Sequence, residues 1–186
     1  MNSMDILKEE HRYIKMVLSA IRRECTGIVN GNEVDYDLFM DIIDFVRNYA
    51  DKYHHKKEED RLFNIMSEEL GSEVKNGPIM GMLVEHDFGR AHIYDLEMAL
   101  KAFKAGNRDA RVDIIASAIG YEQLLLKHID KEDNAIYTFA EKRLSPDTLA
   151  ALNKDFADLE NLHDNIALRD KYTGFAERLN SLISIH

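Results

Sequence analysis

The chain has 186 residues, 45% of them hydrophobic, which is enough to bury one core and close to the size of one domain. A formal net charge of -10, with lysines and arginines dispersed along the chain, argues against a nucleic-acid surface, which needs clustered cations. Cys25 is the single cysteine, which excludes an intrachain disulfide framework and a thiolate metal cluster and suits a reducing compartment.

The first residues, "MNSMDILKEEHRYIK", carry charge close to Met1 and lack the apolar run of a secretion signal. No later stretch approaches the roughly 20 apolar residues of a membrane span, so the expectation is a soluble, cytoplasmic protein. Only Pro78 and Pro146 interrupt the chain, and apolar residues recur at helical spacing, which predicts an all-α fold. A first helix runs from Ser3, read as its N-cap, to Glu24 and stops near Thr26-Gly27. Its apolar stripe is Met4, Leu7, His11, Ile14, Leu18 and Ile21. A second runs from about Asp35 to Leu70, with Gly71 as its stop. The third starts near Pro78, ends at Ala105-Gly106, and carries Met82, His86, Gly89, Ile93 and Leu96 on its stripe. The fourth spans Arg108 to about Leu144, closed by "SPD". Two further pieces, Pro146 to Glu160 and Asn165 to Ile185, flank the polar break "NLHDN". Short polar loops between long helices predict an up-down-up-down four-helix bundle over residues 1–144, with residues 145–186 as a C-terminal helical extension of the same domain.

The residues that break the apolar stripes carry the functional signal. His11 interrupts the first stripe, His86 the third, and His128 with Glu132 stand one turn apart on the fourth. On the second helix, "YHHKKEEDRLF" offers two histidines and two glutamates. Continuing the stripe from Ile42, Phe45 and Tyr49 puts His55 and Glu59 inward and turns His54 and Glu58 about 100° towards solvent. The pattern is then a lone His followed by His-x3-Glu, given twice. A four-residue spacing stacks His and Glu on one face, so both can reach one metal centre. Two carboxylates are enough to bridge two ions, and nitrogen and oxygen donors without sulfur suit iron, with manganese or zinc also accommodated. Each histidine alone would read as a core residue bonded to a neighbour; four helices each sending one inward at matching levels is the signal.

With "EEHRYI", "HKKEEDRLF", "EHDFGRAHI" and "HIDKEDNAIY" in this order, the sequence resembles the hemerythrin-like, or HHE cation-binding, family of four-helix bundles. The resemblance implies a non-haem di-iron centre bridged by carboxylates, in proteins that bind or sense O2, NO or iron status or respond to iron-sulfur damage. Carried over residue by residue, it implies His11, His55 with Glu59, His86, and His128 with Glu132 as metal ligands, with His54, Glu58 and Asp133 as alternates. It implies small ligands at the metals, and a metal-binding or sensing protein rather than an enzyme; it leaves protein partners open. Two positions depart from the oxygen carriers. Arg90 stands where they place a second third-helix histidine, and His128 is followed by both Glu132 and Asp133. The resulting set of four histidines resembles the family's repair and sensory members more than its carriers.

A different reading is metal-dependent phosphoester hydrolysis, because His86-Asp87 resembles the signature of the HD phosphohydrolases. It leaves the paired His-x3-Glu unexplained. Ferritin-like oxidases use Glu-x-x-His, the reverse order and a different spacing. Tyr13, Tyr53, Tyr121 and Tyr137 are candidate hydrogen-bond donors near a metal, Gly89 a candidate for space beside it, and Asp87 and Arg90 candidate outer groups. His163 and His186 are expected at the surface.

Overall fold

The computed structural model describes residues 1–181, and among these there is no strand. Helix α1 (Ser3–Val29) is capped by Asn2 rather than Ser3. The Asn2 side chain accepts from the Asp5 N–H, and the Asp5 carboxylate accepts from the Asn2 N–H, a reciprocal capping box. Ser3 is instead buried and bonds Asn153. Helix α1 also runs past Gly27, and the left-handed turn falls at Gly31, φ 98°.

Helix α2 (residues 36–70) starts at the Asp35 cap and ends at Gly71, φ 89°, as its sequence signals predict. Within it, Val46–His55 and Glu58–Leu62 widen into π-helical turns. Helix α3 (residues 72–104) begins six residues before Pro78, which is held inside the π turn Lys75–Ile79 instead of opening the helix. A wide turn has no i→i−4 bond for the missing proline N–H to break. After a 3₁₀ turn, Arg108–Ala110, helix α4 (residues 111–143) carries another π turn at Glu132–Ile136. Helix α5 (Pro146–Glu160) is capped by the Ser145 side chain, with Pro146 in its first turn. Helix α6 (His163–Ser181) starts two residues before its expected Asn165; the expected end at Ile185, and His186, lie outside the described residues.

Helices α1 to α4 form the bundle, with α3 against α4, α4 against α1, and α2 against α3, while α6 packs along α1. The interior divides into two apolar clusters. One holds Ile14, Leu18, Ile21, Phe39, Ile42, Ile93, Leu96 and Leu125, and α6 adds Tyr172, Ala176 and Leu179. The other holds Met4, Leu7, Leu62, Phe63, Met82 and Ile136, and α5 adds Leu152 and Phe156. Full burial of one such large side chain stabilises by about 1.5–3 kcal/mol. Between the two clusters lies a polar layer, and that layer is the candidate site. No helix among the described residues is long and apolar enough to cross a membrane.

Candidate metal centre

Seven buried side chains converge in the layer. His11 and His54 with Glu58 and Glu132 bring one donor atom each within 4.8 Å of one another, and His55, His86 and His128 form a second such group. The carboxylates span both groups. Glu132 Oε2 stands 3.3 Å from His11 Nε2, and its Oε1 stands 3.1 Å from His128 Nε2 and 3.8 Å from His86 Nε2. Glu58 Oε2 is 3.6 Å from both His54 Nε2 and His86 Nε2. The Nε2 atoms of His86 and His128 face each other at 3.0 Å.

What holds the imidazoles is a ring of carboxylates behind them. Asp133 lies 2.7 Å from His11 Nδ1, Glu10 2.8 Å from His54 Nδ1, Glu59 2.6 Å from His86 Nδ1, and Glu85 3.0 Å from His128 Nδ1. Asp51 stands 3.6 Å from His55 Nδ1. Four of these are chain neighbours of a clustered residue and serve the next helix round. Glu10, beside His11, holds α2; Glu59, beside Glu58, holds α3; Glu85, beside His86, holds α4; and Asp133, beside Glu132, returns to α1. A carboxylate on Nδ1 keeps the proton there and leaves the Nε2 lone pair free, the arrangement that metal-bound histidine uses.

The ring is itself tied down. Lys57, buried between Glu10 and Glu160, pairs with both. Glu160 also accepts from Tyr53 Oη at 2.7 Å and from Arg169 at 3.0 Å. On the other side, Arg90 donates to Glu59, Asp51 and Asp87.

Burial disfavours charge on every group here, yet Asp133 and Glu132 raise the His11 pKa, and Glu132 and Glu59 that of His86, above the ordinary imidazole value. Burial, then the neighbouring Glu132, pushes the Glu58 carboxyl well above the ordinary range. Burial acts the same way on Glu132, but His128, His11 and His86 outweigh it and hold Glu132 well below that range. Two carboxylates this close share a proton unless a cation separates them. Burial likewise holds His54 well below its ordinary pKa, and burial with the neighbouring His86 brings His55 down to about 3, so both imidazoles present lone pairs. His54 Nε2, Glu58 Oε2 and both Glu132 oxygens are buried without a hydrogen-bond partner. An unsatisfied buried polar atom costs about 1–3 kcal/mol, and a cation accepting these lone pairs removes that cost. The donor set therefore fits a metal.

Against the sequence expectations, the second helix is the correction. His54 and Glu58, expected towards solvent, are 1% and 0% exposed and lie within the cluster. Glu59, expected inside it, sits behind His86 and bonds Arg90. The π-helical turns are the reason: adjacent residues of an α-helix point about 100° apart, and a wider turn reduces that angle, so His54 and His55 both face inward. Asp133 stands at the outer nitrogen of His11, not among the convergent donors. Arg90 leaves the third helix one imidazole short, and α2 makes up the number, giving five histidines. Tyr137 donates to Glu58, while Asp87 is 77% exposed and pairs with Arg90, away from the cluster. His163 is fully exposed. Glu10, Glu85 and Asp51 were not among the residues singled out; the doublets Glu9-Glu10, Glu58-Glu59 and Glu85-His86 were the available signal.

A cavity of about 190 Å³ adjoins His55 and His86, walled by Val46, Gly89, Ile93 and Tyr121 and edged by Arg90. Gly89 keeps it open, since a Cβ there would stand 3.4 Å from Leu125 and 3.6 Å from Tyr121. The Tyr121 hydroxyl is buried without a partner.

The family model described as the hemerythrin HHE cation binding domain matches residues 2–140, a stretch that contains all seven convergent residues and the whole carboxylate ring. Comparison with curated proteins and with solved structures gave no match.

Proposed function

Because the chain belongs to the hemerythrin HHE cation-binding family, we propose that its cluster holds two non-haem iron ions and binds or senses a small ligand such as O2 or NO. Glu58 and Glu132, with His11 and His54 on one side and His55, His86 and His128 on the other, are the residues that would hold the ions. The observation that carries this reading is the carboxylate ring, which leaves inward lone pairs on buried imidazoles beside two carboxylates. Iron bound there would supply electrons and an open coordination position to the ligand. The protein's own part is to fix the donors, exclude water, and offer the ligand an apolar cavity beside His55 and His86.

The cavity beside His55 and His86 gives the ligand an approach to the cluster. Glu59 acts through His86 as a positioning residue, not as a ligand. A response to iron-sulfur damage is one physiological use consistent with NO chemistry at such a centre.

The test is metal content per chain on protein purified without added metal and kept from air, read by emission spectrometry. Two irons per chain is the expected ratio, as in other carboxylate-bridged bundle sites. A single zinc, or no metal, overturns the di-iron reading. With iron present, an absorption band that appears on exposure to air, NO or azide is the expected sign of ligand binding.

A further inference from the structure

We propose that the outer face of α3 is a self-complementary surface through which two copies of this chain pair, antiparallel, about a two-fold axis near Tyr94. The proposal starts from an inconsistency in the helix. A surface helix normally has one apolar stripe, and that of α3 (Met82, His86, Gly89, Ile93, Leu96, Leu100) faces the bundle. A second stripe runs along the opposite side. Met80, Val84, Phe88, Ala91, Tyr94 and Met98 lie within about 120° of one another at 100° per residue, on the side away from the core. Phe88 is 58% exposed, Tyr94 60%, and Met80, Val84 and Met98 between 42% and 46%. A helix apolar on both sides calls for cover on both sides.

The shape of the face says what covers it. Phe88 projects from it as a knob. Ten residues on, about 15 Å along the axis at 1.5 Å per residue, an open depression of about 410 Å³ lies beside Met98, lined by the small side chains Ala99, Ala102, Ala116 and Ser117 together with Asp95 and Asp113. A two-fold axis between residues 93 and 94 sends Phe88 of each copy into the depression of the other. The same operation sets Val84 over Ala102 and brings the two Tyr94 rings together at the axis. It also places Asp87 within about two residues of Lys101 in the second copy, an opposite-charge pair made twice. Asp87 is 77% exposed and pairs with Arg90 of its own helix, and Lys101 is 54% exposed and pairs with Glu97, so pairing across the axis exchanges these exposed intrachain contacts for intermolecular ones. Knob, hole and charges lie on one helix in an order that a single rotation superposes, the signature of an isologous contact.

Sedimentation equilibrium of the full-length, metal-loaded protein tests this. The expected result is a mass twice the 21.5 kDa of the chain, concentration-dependent in the micromolar range. Phe88→Glu is expected to weaken pairing by on the order of thirtyfold or more, the effect of losing a hot-spot aromatic. Because Phe88 points away from the cluster, metal content should not change, which separates lost pairing from lost folding. Asp87→Lys should weaken pairing, and adding Lys101→Asp to it should restore it; random aggregation shows no such rescue. A chain that stays monomeric throughout the micromolar range overturns the proposal. So does a dimer indifferent to Phe88→Glu, or a monomer that uses this face to bind lipid vesicles or a different protein.

Discussion

The two halves of the polar layer are built from the same parts in unequal proportion. Around His11 and His54 the two glutamates converge, and Tyr137 donates to Glu58. Around His55, His86 and His128 three imidazoles gather, the same two glutamates reach them from one side, and a cavity adjoins His55 and His86. One half is closed by Tyr137, and the other borders open space. The difference teaches that a bundle can make two unlike positions from a nearly repeated motif. The repeat gives His-x3-Glu twice, and a single widened turn on α2 adds His55 to one side only.

The largest expected effect removes the part that both halves share. Glu132→Ala should abolish binding of both ions while helical content by circular dichroism is retained, because the two apolar clusters above and below remain. His128→Ala should instead release one ion and leave the other; equal loss from both variants would show that the halves do not fill separately.

Next come the carboxylates behind the histidines. Glu10→Gln and Glu85→Gln should each weaken metal binding about 10–100-fold, as loss of an outer partner commonly does. The first should act on the His54 side and the second on the His128 side, measured by competition with a chelator. If both act on the same ion, the division drawn between the halves is wrong.

Smaller effects are expected at the cavity. Gly89→Ala should leave metal content unchanged and reduce azide binding, since its Cβ enters the space beside Tyr121. Stability should hold or rise, because alanine favours a helix by about 1 kcal/mol over glycine and the 3.4 Å contact to Leu125 is only slightly tight. Unchanged azide affinity would remove the cavity from the ligand's path. The smallest effect belongs to Cys25. It is buried, and burial pushes its thiol up to about 11, so alkylation of the folded protein at neutral pH should be slow. Cys25→Ser should keep the full metal content, as expected of a sulfur-free site.

Most of the bundle was legible because long helices announce themselves by apolar period, and glycine and proline by position. Asp35, Gly71 and Ser145-Pro146 end or begin helices as their chemistry requires. What periodicity could not reveal is a change in period. The reading of α2 assumed a constant 100° step, and the π turns at Val46–His55 and Glu58–Leu62 break it just where two glutamates compete for the inner face. For the same reason Pro78 read as a helix start. Histidines on the regular segments, His11, His86 and His128, fell where the spacing put them. The ring partners Glu10, Glu59, Glu85 and Asp133 were hidden differently: each serves a helix other than its own, and no spacing within one helix records that.

The buried ammonium of Lys57 has a consequence for where this protein can be cut. Its two counter-ions come from opposite ends of the sequence, Glu10 from the first helix and Glu160 from the last residue of α5. The family match stops at residue 140. A fragment trimmed there would leave the buried Lys57 only Glu10, the group that steadies His54, as counter-ion, and would also lose Leu152 and Phe156 from the lower core. The smallest piece able to load metal normally is therefore expected to reach at least Glu160, which makes α5 a clasp on the bundle and not a tail.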